Sequence, residues 1–409
     1  MSKMSIILAS GVMPAILSSP AAGANTLTAL IPDIYQAMDV VSRELTGFIP
    51  AVGRATGVER AAVGQAVRIP VSTVQTATDI VPAMQVPTPP DNTLGVGSMA
   101  ITKARAVGFG FTGEEQRGLS TGGPGYLSAR ASIVAEAIRT LTNEIERDLA
   151  IEGANNASRA WGTSGTAPFT TDDLSPIAQL RRILNDNGAP PGTRSLVLDS
   201  IAASNLITVK NLSRVNEAGS QMTLRQGQLL DVYGMSIKET GQGVTHVKGT
   251  AAGATTNASG YAIGATVITL ASAGTGTIVA DDVITFAGDA NQYVVVTGDA
   301  DVSNGGTVTI EAPGLRAAIP AIATAITVTN TFAVSGVAFS SDALWLAMRP
   351  PAIPEEGDLA VDRMMLTDPY SGVTFEFCIY LGYKMVRYEV GLAWGVKATK
   401  PRHIALLKG

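Results

Sequence analysis

Between Thr245 and Thr331 the chain shifts to Gly, Ala, Thr and Val, keeps only Lys248 and Arg316 as positive charges, and shows no helical period. Such a stretch reads as a small all-β module. Short strands are expected near Thr266 to Leu270, Asp282 to Ala287, Gln292 to Thr297, Thr307 to Glu311 and Ile326 to Thr331. Gly288-Asp289-Ala290-Asn291 and Asn304-Gly305-Gly306 supply turn signals between them. Many short strands without a helix predict a small barrel, because closure protects strand edges. The flanking segments mix helix and strand and neither looks complete alone, so the module reads as an insertion into an α+β host.

The 409 residues suit two to three domains at about 150 residues each. Cys378 is the only cysteine, which fits a reducing cytosol and excludes a disulfide framework. A net charge of -5 argues against a dedicated nucleic-acid binder, which would carry a basic stripe. Charged residues make up 15% of the chain, where about 25% is usual. Mean hydropathy is +0.24, yet no apolar run is long enough to cross a bilayer. A chain this poor in charge is expected to bury surface against other chains; a charge-poor monomer is the plainer alternative.

Met1 to Ala24 carries Lys3, the apolar stretch Ile6 to Leu17 and the small-residue run Ala22 to Ala24, a pattern shared with secretory signals. Gly11 and Pro14 interrupt the stretch and the positive end is thin, which favours a retained extension. Ile34, Met38, Val41 and Leu45 recur at helical spacing behind Asp33. A long hairpin is expected next, with Val67, Ile69 and Val71 alternating on one arm and Met99, Ile101 and Lys103 on the other. Pro82, Pro87, Pro89 and Pro90 fill its tip, and so long a connection usually reaches outward.

The strongest helix follows Gly125, with Leu127, Ala131, Val134, Ile138, Leu141, Ile145 and Leu149 on one stripe and Arg130, Glu136, Glu144 and Arg147 opposite. Ser175 reads as the N-cap of a second helix, with Pro176 at its first position, Ile177, Leu180, Ile183 and Leu184 as stripe, and Gly188 as its stop. Ser195 to Leu198 reads as a buried strand. The host ends in an alternating stretch through Phe375, Phe377, Ile379, Leu381 and Tyr383.

Chemical motifs are few. Gly108 to Gly113 matches the spacing of a dinucleotide fingerprint, but Glu114 and Glu115 would sit where a pyrophosphate must be received, so a glycine-rich turn is the better reading. Phosphate-loop and nucleophile-elbow motifs are absent. His246 and His403 lie in separate segments and offer little for metal or acid-base work. Cys378 in an alternating strand reads as a buried structural thiol. Glu355-Glu356-Gly357-Asp358 and Asp281-Asp282 read as solvated loops. Neither an enzyme nor a cofactor is expected.

An ordered set of segments carries a resemblance. Asn25 to Thr28, Val40-Val41-Ser42-Arg43-Glu44-Leu45, Ile101 to Arg105, Thr112 to Gly118, Phe339 to Pro351 and Gly395 to Pro401 resemble the major coat proteins of tailed phages related to P22. The similarity spans roughly Asn25 to Thr240 and Phe332 to Lys408. It implies the HK97-like capsid fold, with an extension at 1–24, an N-terminal arm at 25–60 and an E-loop hairpin at 61–106. It further implies a P-domain with spine helix and the first part of the A-domain at 107–244, an inserted I-domain-like barrel at 245–331, and the rest of both domains at 332–409. Pro82, Pro87, Pro89, Pro90, Arg105, Glu114, Glu115 and Arg117 become candidates for intersubunit contact.

The implied partners are further copies of the chain in hexamers and pentamers, a scaffolding protein, a portal, and packaged double-stranded DNA held without sequence-specific binding. No membrane is implied; the implied location is the virion capsid, assembled in the host cytoplasm. Physical reasoning points the same way, since many weak contacts add up once subunits are held in a closed lattice. A secreted or surface-layer β-rich structural protein is the rival reading, and it requires the N-terminal stretch to act as a signal.

Overall fold

The structure is a computed structural model and describes residues 43–57, 59–70, 79, 82, 96–122, 126–213 and 231–409. The expected extension at 1–24 and the helix expected over Ile34, Met38 and Val41 lie outside these residues; Leu45 is exposed in a segment without regular structure. The first strand is β1, Gly53–Thr56. The expected hairpin follows as β2, Ala66–Pro70, antiparallel to β3, Val96–Ala100, with Val67 opposite Met99 and Ile69 opposite Gly97.

The return arm differs from expectation. It ends at Ala100 because the Thr102 N–H turns to the Trp394 carbonyl, and Lys103 opens a separate strand, β4, Lys103–Thr112. The Gly-Phe repeat expected as a turn lies in this strand. There the two-residue period sends Phe109 onto the Tyr388 ring, at 5.4 Å between centroids, and Phe111 against Phe109.

Helix α1, Gly113–Gly122, starts with a capping box. The Thr112 N–H donates to Glu115 Oε2 at 2.8 Å and the Glu115 N–H to Thr112 Oγ1 at 3.3 Å. Helix α2, Tyr126–Asn155, packs along β4 and later strands, burying Ala131, Val134, Ile138, Leu141, Ile145 and Leu149 as its spacing predicts. Leu127 departs from that stripe and is 54% exposed. Arg130, on the Tyr388 ring, marks where contact with the sheet begins, and Leu127 lies one turn before it.

After β5, Arg159–Trp161, comes α3, Ser175–Asp186, with all four expected stripe residues buried. Its N-cap is Leu174 rather than Ser175. Asp173 accepts both the N–H and the hydroxyl of Ser175, so Ser175 is drawn into the first turn. Gly188 ends the helix at φ +74, a conformation glycine reaches without strain. Strand β6, Arg194–Asp199, is buried as expected, and Asp199 caps α4, Ser200–Thr208, by accepting from the Ala202 N–H. Strand β7, Ser236–Thr240, runs parallel to β6.

The next strands are β8, Thr245–His246, β9, Val267–Leu270, and β10, Val283–Phe286. They are followed by β11, Gln292–Thr297, β12, Gly306–Ile310, and β13, Ile326–Val328. The pairing order β9-β12-β11-β10-β13 closes on itself, because Thr256 bridges Leu270 while Thr255 bridges Ala325. The enclosed core, including Ile268, Ile284, Phe286, Val295 and Val308, comes entirely from this stretch. These strands do not pair only with one another, however. Gln292 and Tyr293 also pair with Ala160 and Arg159 of β5, so a short seam joins the module to the host sheet.

The chain ends with β14, Phe332–Ser340, β15, Leu344–Arg349, β16, Ala360–Thr367, β17, Thr374–Gly382, β18, Met385–Ala398, and β19, Ile404–Lys408. Where the module begins and ends, β8 pairs with β14, setting His246 beside Phe332. One sheet runs β1-β15-β18-β17-β16 with β4 also on β18, and α2 covers it. The other runs β13-β10-β11-β5-β19-β14-β6-β7, with α3 and α4 against its host part. Among the described residues no helix is long and apolar enough to cross a membrane.

Candidate functional site

Strand β18 pairs with β4 as far as Met385 opposite Thr112, which brings the β17–β18 turn beside the start of α1. The Gly113 N–H donates to the Lys384 carbonyl at 3.0 Å and fixes the two together. Between them lies an open groove of about 780 Å³, walled by Thr112, Glu114 and Gln116 on one side and Leu381, Tyr383 and Met385 on the other. The alternation expected to run through Tyr383 stops at Gly382. Tyr383 and Lys384 form the turn, Lys384 at φ +53, so Tyr383 is 86% exposed with the Lys384 ammonium over its ring. Met385 beside it is also exposed.

Of the predicted contact residues, Glu114 lines this groove, Glu115 caps α1, and Arg117 is exposed one turn on. Arg105 lies further back on β4, largely exposed, with its guanidinium 3.1 Å from Glu144 of α2. Lys103 joins the same ladder, 2.8 Å from Asp148. Pro82 is exposed, while Pro87, Pro89 and Pro90 lie outside the described residues. The base of the proline hairpin is fixed by a small core in which Ile69 and Met99 pack with Ala347 and Ala393 of β15 and β18.

A second set of charges straps the chain around residues 43–54, and the sequence reading did not find it. Glu146, on the buried side of α2, accepts the N–H groups of Gly47, Phe48 and Ile49 at 2.6, 2.7 and 3.0 Å. Burial pushes its carboxyl above the usual range, against the lowering effect of those donors. Arg43 pairs with buried Asp368 at 2.9 Å, and Arg54 donates to the Ile49 and Ser371 carbonyls. Arg139 pairs with Glu44 and holds that carboxyl down at about 2, and Arg60 pairs with Glu376. Arg43-Glu44 stood inside one of the resembling segments, which was the available signal.

Two readings of acidic runs separate. Asp358, beside Arg363, belongs to an exposed loop as expected. Asp282 instead is wholly buried, accepting from the Gly249 and Val279 N–H groups, and lies 2.9 Å from His246 Nε2. The closure of the barrel, invisible to local sequence, draws that carboxylate inside. Cys378 is buried and its thiol is pushed up to about 11 by desolvation, so it stays protonated and inert. Burial likewise pushes the His403 imidazole down. Among the described residues no group of three or more His, Cys, Asp or Glu side chains is placed to hold a metal.

No family model matches the chain, and no curated protein does. Among solved structures the chain is similar to one of Mycobacterium phage Che8, at 12% identity over 98% of each chain with a TM-score of 0.43. It is similar to one from the capsid structure of cyanophage P-SCSP1u, at 12% identity over 90% of this chain and 89% of that one, with a TM-score of 0.48. A third is a virus-like particle from Pyrococcus furiosus, at 10% identity over 92% and 97%, with a TM-score of 0.41.

Proposed function

We propose that this chain is the major capsid protein of a tailed bacteriophage, built on an HK97-like fold and self-assembling into the icosahedral shell around double-stranded DNA. The observation that carries the reading is the hairpin β2–β3. Its strands pair with no other strand among the described residues, its base is pinned by a few core side chains, and the proline-bearing stretch 71–95 departs from there. An isolated two-stranded hairpin is marginal in water, so a long one needs a surface supplied from elsewhere. The groove under Tyr383 is a surface of that kind.

In this reading β2–β3 is the E-loop, α2 the spine helix of the P-domain, and α3 and α4 with their sheet the A-domain. The barrel over 245–331 takes the place of the family's I-domain. Neighbouring copies in hexamers and pentamers are the main partners, with a scaffolding protein and a portal during assembly in the host cytoplasm. The DNA is enclosed without sequence-specific contact, in keeping with the net charge of -5. Electron microscopy of the purified protein with its scaffolding partner tests the proposal: closed shells support it, and monodisperse monomers at every concentration and scaffold ratio overturn it.

A further inference from the structure

The last strand ends in an ammonium buried without an anion. Lys408 is 2% exposed, its Nζ donates to Thr329 Oγ1 at 3.2 Å, and it lies 5.9 Å from the centre of the Phe332 ring. No carboxylate among the described residues pairs with it, and burial alone pushes its pKa down to about 8. Buried lysines are ordinarily paired, because desolvating an isolated cation is costly.

Beside it opens a cavity of about 340 Å³ where the barrel rejoins the host, lined by Lys408 with Gly162, Ser164, Gln292, Thr329 and Asn330, and by no acidic residue. Gln292 donates its amide to the Gly162 carbonyl at 3.2 Å, which leaves Oε1 buried and without a partner. Lys248 adds a second positive charge at this wall, 3.1 Å from Asn330 Oδ1.

We infer that this cavity is a binding site for inorganic hydrogen phosphate. Lys408 neutralises the anion, and the Thr329 hydroxyl, already accepting from Lys408, turns its own proton to a phosphate oxygen. The orphaned Gln292 Oε1 accepts the remaining P–OH. That last contact selects against sulfate, against the phosphodiesters of nucleic acid and against phosphate monoesters, which at pH 7 are wholly or mainly without a P–OH. Because Thr329 and Asn330 belong to the segment leaving β13, an occupied site braces the barrel on β19. This inference stands apart from the shell-forming proposal.

The test uses the full-length unassembled chain at pH 7, melted and titrated calorimetrically with phosphate, sulfate, glycerol phosphate and a short single-stranded DNA at equal ionic strength. Inorganic phosphate is expected to bind saturably and raise the melting temperature, at least tenfold more tightly than sulfate or glycerol phosphate, with DNA inert. Lys408→Met should fold, since it replaces an unpaired buried cation with an apolar chain of similar length, and should lose the binding. Gln292→Leu should bring phosphate affinity down to that of sulfate. General salting effects act on wild type and Lys408→Met alike, so equal shifts in the two, equal affinity for sulfate, or no saturable binding would overturn the inference.

Discussion

Removing the Glu146 carboxylate should free the strap over residues 47–49. In Glu146→Ala three buried N–H groups lose their acceptor, and the distances of 2.6 to 3.0 Å mark strong, charge-assisted bonds. A stranded buried donor costs about 1–3 kcal/mol; relief of the carboxylate's own desolvation and partial relaxation of the loop offset part of this, leaving roughly 3 kcal/mol of destabilisation. Glu146→Gln keeps one acceptor for Gly47 and Phe48 but turns an amide donor toward the Ile49 N–H, a loss of about 1–2 kcal/mol.

The sign of the pH effect separates the two variants further. The folded carboxyl holds its proton to higher pH than the unfolded one, so wild-type stability declines as pH rises from the ordinary carboxylate range through the raised one. Glu146→Gln lacks that decline. Urea denaturation of the unassembled chain from pH 4 to 8, with hydrogen exchange at amides 47–49, measures both effects. Amides that stay protected in Glu146→Ala, with stability within about 0.5 kcal/mol of wild type, would refute the reasoning.

Other changes test other parts of the molecule. Leu141→Asp places a carboxylate on the wholly buried stripe of α2, a cost of several kcal/mol; the product should be insoluble or unfolded, and soluble protein with unchanged circular dichroism would contradict this. Deleting Thr73 to Asn92 and closing the arms with a short turn should leave the unassembled chain folded by circular dichroism yet stop shell formation in electron micrographs. Tyr383→Asp, at a side chain with little packing to lose, should change unfolding stability by less than about 0.5 kcal/mol while blocking shells; a variant that assembles normally would remove the groove from the contact surface.

What the sequence made legible was local. The five barrel strands, the stripe of α2 from Ala131 to Leu149 and the stop at Gly188 follow from two-residue and 3.6-residue periods and from glycine, all contained in a short window. The readings that failed depended on distant partners. Gly108 to Phe111 is extended because β18 lies beside it, the hairpin arm breaks at Thr102 because Trp394 offers a carbonyl, and Asp282 is buried because Gly249 and Val279 close over it. Charge gave the least guidance. Nothing near Glu146 or Arg43 in the sequence indicates that each is spent on backbone or carboxylate about a hundred or more residues away. The alternating stretch expected through Tyr383 ends at the turn instead, since alternation does not tell where a hairpin turns.

The seam between β5 and β11 changes what kind of attachment the barrel has. A module joined only through its two chain crossings can swing about them like a flag. This one is also stitched at Gln292 and Tyr293, and the buried Arg159 guanidinium reaches both Asn291 of the barrel and Asp186 of α3. Two chain crossings and a paired seam together restrain that swing. In a closed shell every copy would then present its barrel at a similar angle, and a peptide grafted onto an outer barrel loop would form an array with the spacing of the lattice itself, a property useful for multivalent display.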